Sequence, residues 1–545
     1  MSAAARTGAP RRPTGGSGRF TGAAGPARLV LRRDRVLLVL WLLVTAGIVI
    51  GGAAAVDGTY PTAQARQDRF DQVATIPMFM LLQSRAFDTT AAALAAQQAF
   101  GGATMCAGLG AVLLLVRHTR TEEQAGRSEL LGGTAIGRHA PLAAALAVVL
   151  GAGVLLAAVT AAGLVATGMP GPGSVALGLV VGGAVWIAAA LAAVAVQLTT
   201  RTGAAAAIAF GLFYMLHLVR GIGAMGGPGA AWLTWVSPNG WLENVRPYAD
   251  ERWWPFALVL VWTAALAAAA FALAERRDLG SAVLPARRGP AVAPPGLRSV
   301  PALAWRSTRG PLAAWLGAVA VMGAAMGYVG AGAMAEYADA EWVRVLAAGL
   351  GVPPADSFFV YVVFVAVFPI AAHAILTALR MRTEEAAGLG ELLLSGPTAR
   401  TRWALAHLGA AFGCPVLLLA TLGAAVGAGS ALAGGPVGDI VRFAAFTVTL
   451  VPAVWVVVGA TVLAFGLAPR ACAVVAWAVL GVGIGTEIAV KLGVLPEWTF
   501  LVVSPFAHVN PYFQPVPVGY PLLVLLAAAL TAAGLAALRR RDLPA

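Results

Sequence analysis

The chain has 545 residues, of which 59% are hydrophobic and only 11% charged, with a formal net charge of +13. Soluble domains carry about 25% charged residues, so this composition excludes a soluble globular protein and places the chain among membrane proteins. The Ala-, Leu-, Val- and Gly-rich runs are continuous rather than alternating. That excludes a β-barrel and predicts an all-α integral membrane fold, since only helices and closed barrels satisfy their backbone groups in lipid.

In chain order, residues 1–27 are rich in Arg, Gly, Pro and Ala and read as a disordered cytoplasmic tail. Arg28 to Arg35 reads as an amphipathic stretch at the inner membrane interface. The first span follows at about 36–56, too long for a secretory signal and therefore an uncleaved anchor. Further spans fall at about 95–116, 141–168, 174–199, 203–225 and 254–274, completing a first six-helix half over 28–274. An Arg/Pro-rich cytoplasmic linker covers 275–309. The second half, 310–545, carries six more spans near 310–331, 357–379, 403–428, 440–466, 471–491 and 519–538. About twelve spans place both termini on one side. Arg32, Arg33, Arg35, Arg539, Arg540 and Arg541 put that side in the cytoplasm of a cell membrane. The basic balance is then topology in a lipid bilayer, and no nucleic-acid partner is expected.

The halves repeat each other. Arg120-Thr121-Glu122-Glu123-Gln124-Ala125-Gly126-Arg127-Ser128-Glu129-Leu130-Leu131 returns as Arg382-Thr383-Glu384-Glu385-Ala386-Ala387-Gly388-Leu389-Gly390-Glu391-Leu392-Leu393. Arg138 maps onto Arg400, Arg201 onto Arg470 and Ser237-Pro238 onto Ser504-Pro505, in the same order. Arg276-Arg277-Asp278-Leu279 and Arg540-Arg541-Asp542-Leu543 close the two halves. Six spans is an even number, so the repeats are parallel, related by an axis along the membrane normal.

The acidic motif lies between spans two and three of each half. Its acids are spaced as on a short helix, with Leu130 and Leu131 turned inward, the carboxylates facing water, and Glu123 pairing with Arg127 four residues on. A solvated charged loop is the plain alternative. It does not explain acids recurring at one spacing on the side where bases are preferred, whereas docking onto a basic groove of a partner does. No catalytic or metal-binding residue is proposed. The six histidines are scattered and Cys106, Cys414 and Cys472 lie in apolar stretches. Lys491 is the one lysine and no glycine loop precedes it, so the chain has no P-loop.

The Glu-Glu-x-x-Gly-Arg-x-Glu-Leu-Leu pattern, with the basic stretch before span one and the Ser-Pro segment before the last span of each half, resembles the permeases of ABC-2 type exporters. It is most similar to the actinobacterial group of fused permeases described as exporters of polyketide antibiotics, tetronasin-type ionophores included. The resemblance implies an ATP-driven export permease whose ATP and magnesium are bound by a separate ATPase subunit, a homodimer, and whose substrate is a hydrophobic small molecule. It assigns Glu122, Glu123, Gly126, Arg127 and Glu129 to a first coupling element, and Glu384, Glu385, Gly388 and Glu391 to a second. Leu389 departs from the pattern where the first half has Arg127. Spans two, five, eight and eleven then line the path, with Phe100, Met105, Phe213, Tyr214, Phe358, Phe364 and Trp477 as candidate contacts.

Around the start of the last span of each half, Trp232, Trp235, Trp241, Trp253 and Trp254 in the first and Trp498, Tyr512, Phe513 and Tyr520 in the second read as a headgroup-level aromatic belt around a re-entrant segment, the sharper alternative being an extracellular gate that opens for an amphipathic substrate. Few ionisable groups are expected within the spans, the noted pair being Glu487 and Lys491. The alternative reading is a proton-coupled carrier of six-plus-six topology, which ordinarily keeps acids or histidines at mid-membrane.

Overall fold

The computed structural model describes residues 18–541 apart from 76, 135, 285–290, 338–342, 345–346, 349–351, 492–494 and 510–518. Among the described residues it is all-helical. The chain divides into two compact units, Met1–Gly289 and Pro290–Ala545. Among the described residues, 11 helices are long and apolar enough to cross a membrane. The apolar stretch Cys472–Glu487 is shorter and lies where the remaining span is expected.

The long helices of the first unit are α1 (Ala24–Thr59), α2 (Ala91–His118), α3 (Ala140–Ala166), α4 (Gly171–Leu198), α5 (Thr202–Met225) and α6 (Pro255–Glu275). Those of the second are α7 (Val300–Tyr337), α8 (Pro354–Ala378), α9 (Arg400–Leu432), α10 (Asp439–Leu467), α11 (Cys472–Lys491) and α12 (Gly519–Arg540). α1 starts inside the expected tail and α7 inside the expected linker, so both run ahead of their apolar cores.

α1 is bent where the basic stretch meets the first span. Asp34 leaves the helical region at φ −109°, ψ 16°. Its buried carboxylate lies 2.6 Å from His118 Nε2 and forms an ion pair with Arg117 Nε at 3.0 Å. A short acid turned inward to bases at the end of α2 therefore sets the kink, and the arm Ala24–Arg33 precedes it.

α4 is the most enclosed span of its unit, with 78% of its apolar window buried against 17% for α6. Small residues bring α3 against it. A Cβ on Gly178 would stand 2.4 Å from the Ala157 carbonyl oxygen, and one on Gly182 would stand 2.6 Å from that of Gly153. Close backbone approach through small residues is how membrane helices gain packing without a hydrophobic drive between them. In the second unit α7 packs on α9 and α10 on α12.

Candidate functional site

The acidic motif of each unit folds as two short helices joined by a left-handed glycine. The first pair is Arg120–Gln124 and Arg127–Gly132, with Gly126 at φ +69°. The second is Arg380–Ala386 and Leu389–Leu394, with Gly388 at φ +71°. A Cβ on either glycine would meet nothing within 4 Å. Their positive φ, not crowding, is what calls for glycine there.

Each element is clamped from far along the chain. In the first unit Arg277 donates to Glu123 through Nη2 at 2.7 Å and Nη1 at 3.0 Å. Buried Arg120 donates to the same carboxylate at 2.6 Å and to the Val196 carbonyl at the end of α4 at 3.0 Å. Arg138 holds the clamp in place by donating to the Arg277 carbonyl at 2.5 Å. The second unit repeats the arrangement. Arg541 donates to Glu385 at 2.7 and 3.0 Å, Arg382 to the Pro469 carbonyl at 2.8 Å and Arg400 to the Arg541 carbonyl at 2.6 Å. Bidentate guanidinium–carboxylate pairs of this kind fix orientation as well as supply attraction.

The second acid of each element is held differently in the two units. Glu122 accepts from Arg127 at 2.6 and 2.8 Å and from Arg33 of the α1 arm at 2.5 Å. Donating to the Glu122 carboxylate holds the Arg127 guanidinium above its ordinary pKa. Where Leu389 replaces that arginine, Glu384 turns inward, accepting from Trp403 Nε1 at 3.1 Å with His407 Nε2 at 3.0 Å.

Three features differ from the sequence expectation. Arg127 pairs with Glu122, not with Glu123. The paired carboxylates do not face water: Glu123 is 12% and Glu385 7% exposed. Leu130 and Leu392 do not turn inward and are 76% and 75% exposed, beside exposed Glu129 and Glu391. The cause is the arginines, which reach the acids from the inner side and leave the opposite face of the second short helix to solvent. The side chain of Leu131 lies outside the described residues.

The candidate path residues divide by burial. Phe100, Phe213, Phe358 and Phe364 are buried within their own units, Met105 and Tyr214 are half-buried, and Trp477 is exposed. At the end of the first unit opposite its acidic element lies a polar cluster that sequence reading missed. Arg220, fully buried on α5, donates to Glu243 at 3.1 Å and to the Leu81 carbonyl at 2.8 Å. The Arg85 backbone N–H donates to the same carboxylate at 2.8 Å. Glu243 ends the buried short helix Pro238–Glu243, the expected re-entrant segment, pinned by Ser237 Oγ on the Leu216 carbonyl at 2.6 Å. Arg220 sits inside an expected span and was the available signal. The side chain of Lys491, and Tyr512 and Phe513, lie outside the described residues.

A polytopic helical bundle with a duplicated short-helix element at matching points of two units defines a membrane permease. A family model described as the C-terminal domain of multidrug efflux system permease Rv1217c matches residues 24–273 and again 297–539. Across 544 residues the chain is 35% identical to the multidrug efflux system permease protein Rv1217c of Mycobacterium tuberculosis, covering 99% of this chain and 98% of that protein. The chain belongs to this family of multidrug efflux permeases.

Proposed function

We propose that this chain is the complete membrane part of an ATP-driven drug exporter. A separate ATP-binding subunit, acting as a homodimer, binds ATP and magnesium and docks on the two short-helix elements. The observation that supports this reading is the doubled clamp: Arg277 on Glu123 and Arg541 on Glu385 hold two equivalent elements rigidly, and a rigid element transmits a push from a partner into α2 and α3 or α8 and α9. Both elements, with both termini, face the cytoplasm on this reading. Glu122, Glu123, Glu384 and Glu385 then act as internal braces. Leu130 and Leu392, flanked by Glu129 and Glu391, form the contact itself, because exposed apolar side chains at a protruding tip suit a partner's pocket.

The substrates are hydrophobic small molecules, with polyketide antibiotics among them. The lining named above, Phe100 to Trp477, serves as their path. The test is capture of the ATP-binding subunit by the tagged chain from membranes. Leu130→Glu with Leu392→Glu abolishes capture on this reading, and unchanged capture overturns it. The other mechanism, proton-coupled export, would draw on the buried ionisable groups of the path helices, His217 beside Arg220 on α5, His373 on α8 and Glu487 on α11, and the doubled clamp favours the ATP-driven reading over it.

A further inference from the structure

Between α1 and α3 runs an apolar groove of about 520 Å³. Leu31, Arg35, Leu38 and Leu42 recur at four, three and four residues, which places them on one face of α1. Gly151 and Leu155 of α3 form part of the opposite wall. From Leu31 to Leu42 the helix rises about 16 Å, roughly half of a hydrocarbon core about 30 Å thick. The groove is therefore about one leaflet deep.

Its mouth is cationic. Arg33 and Asp34 are occupied by Glu122 and by His118 and Arg117. Arg28, Arg32 and Arg35 form no ion pair with any described residue. Basic side chains at a membrane surface attract anionic headgroups.

The second unit carries a groove at the repeat-equivalent place, about 230 Å³, between α7 and α9. Gly413 and Leu417 line it where the first unit has Gly151 and Leu155, and Trp305 stands at the position of Leu31. Arg306 and Arg309 follow as Arg32 and Arg35 do, exposed and without an ion pair among the described residues. On α9 that lining keeps the register of the first groove, but on α7 it is Pro301 and Trp305, ahead of Arg306 and Arg309, so only the first groove runs from an unpaired arginine along the apolar core of its helix.

We propose that the first-unit groove is a binding site for one anionic phospholipid, its acyl chain lying along α1 and its phosphate on Arg35. Charge selects this occupant over a zwitterionic lipid, and the narrow leaflet-deep shape selects an acyl chain. In the first unit the site has a consequence. Arg33 and Asp34, which tie the α1 arm to the acidic element, adjoin Arg35, so bound lipid braces that arm. The inference rests on the membrane fold alone and stands apart from the ATP-binding partner.

The test is native mass spectrometry of the full chain, delipidated and titrated with phosphatidylglycerol or phosphatidylethanolamine. A Cβ at Gly151 or Gly413 meets nothing within 4 Å, so Gly151→Leu and Gly413→Leu fill the grooves without displacing backbone. The expected result is one tightly held phosphatidylglycerol molecule per chain, kept in Gly413→Leu and lost in Gly151→Leu. Arg35→Gln, whose side chain is exposed, weakens the site at least tenfold without filling it. Equal retention of both lipids, or full phosphatidylglycerol retention in Gly151→Leu, overturns the proposal. So does displacement of the lipid by a hydrophobic dye photocrosslinked at Gly151.

Discussion

Arg277 forks onto Glu123 with hydrogen bonds of 2.7 and 3.0 Å across 154 residues of chain. Arg541 does the same to Glu385 with the same two lengths across 156 residues. The two pairs tie the last residues of each unit to its acidic element, and the predictions start from them.

Removing a clamp strands a mostly buried carboxylate. Breaking such a pair by losing one partner costs about 3 kcal/mol or more. Glu123 keeps Arg120 when Arg277 is lost, whereas among the described residues Glu385 accepts side-chain hydrogen bonds from Arg541 alone. Arg541→Ala is thus expected to lower the melting temperature of the purified chain more than Arg277→Ala. Both variants reduce dye efflux in cells.

The glycine turns are expected to be intolerant of branching. A left-handed conformation costs an L residue about 1–2 kcal/mol, and asparagine bears it best. Efflux should fall in the order wild type, Gly126→Asn, Gly126→Val, with the same order at Gly388. Side-chain room is open at both places, so a clash does not confound the reading.

Leu130 and Leu392 separate docking from folding. They are exposed, and substitutions at exposed positions stay within about 0.5 kcal/mol of wild-type stability. Leu130→Glu and Leu392→Glu should melt like wild type yet lose export. A matching loss of thermal stability would assign these leucines to the fold instead.

The Arg220–Glu243 pair, both side chains 0% exposed, anchors the short helix Pro238–Glu243. Glu243→Leu alone leaves the Arg220 charge buried without its partner and costs about 3–5 kcal/mol, whereas after Arg220→Met the carboxylate keeps Arg85 at 3.5 Å and the loss is smaller. The double replacement removes both charges and recovers part of that loss. Melting of the four proteins in a double-mutant cycle should show a coupling of at least about 1 kcal/mol.

Much of this arrangement was legible in the residues. Hydropathy located the spans, and the register from Arg120 to Leu131 onto Arg382 to Leu393 located both elements. The facing of the acids was not legible, because it depends on Arg277 and Arg541, more than 150 residues away. Local helix spacing favoured a Glu123–Arg127 pair worth about 0.2–0.5 kcal/mol, and a buried bidentate clamp outweighs that. The repeated Arg-Arg-Asp-Leu ends held the signal, read only as a sign of duplication. Arg220 was visible within span five, but its partner Glu243 lies beyond the span in the Ser-Pro segment, where no periodicity marks a contact.

Reconstitution tests the central claim most directly. The purified chain, with and without the ATP-binding subunit it captures from membranes, is placed in proteoliposomes, and accumulation of ethidium is followed under ATP or under an imposed proton gradient. The account predicts accumulation only with the subunit and ATP, abolished by Leu130→Glu with Leu392→Glu. Accumulation by the chain alone under the proton gradient would contradict it.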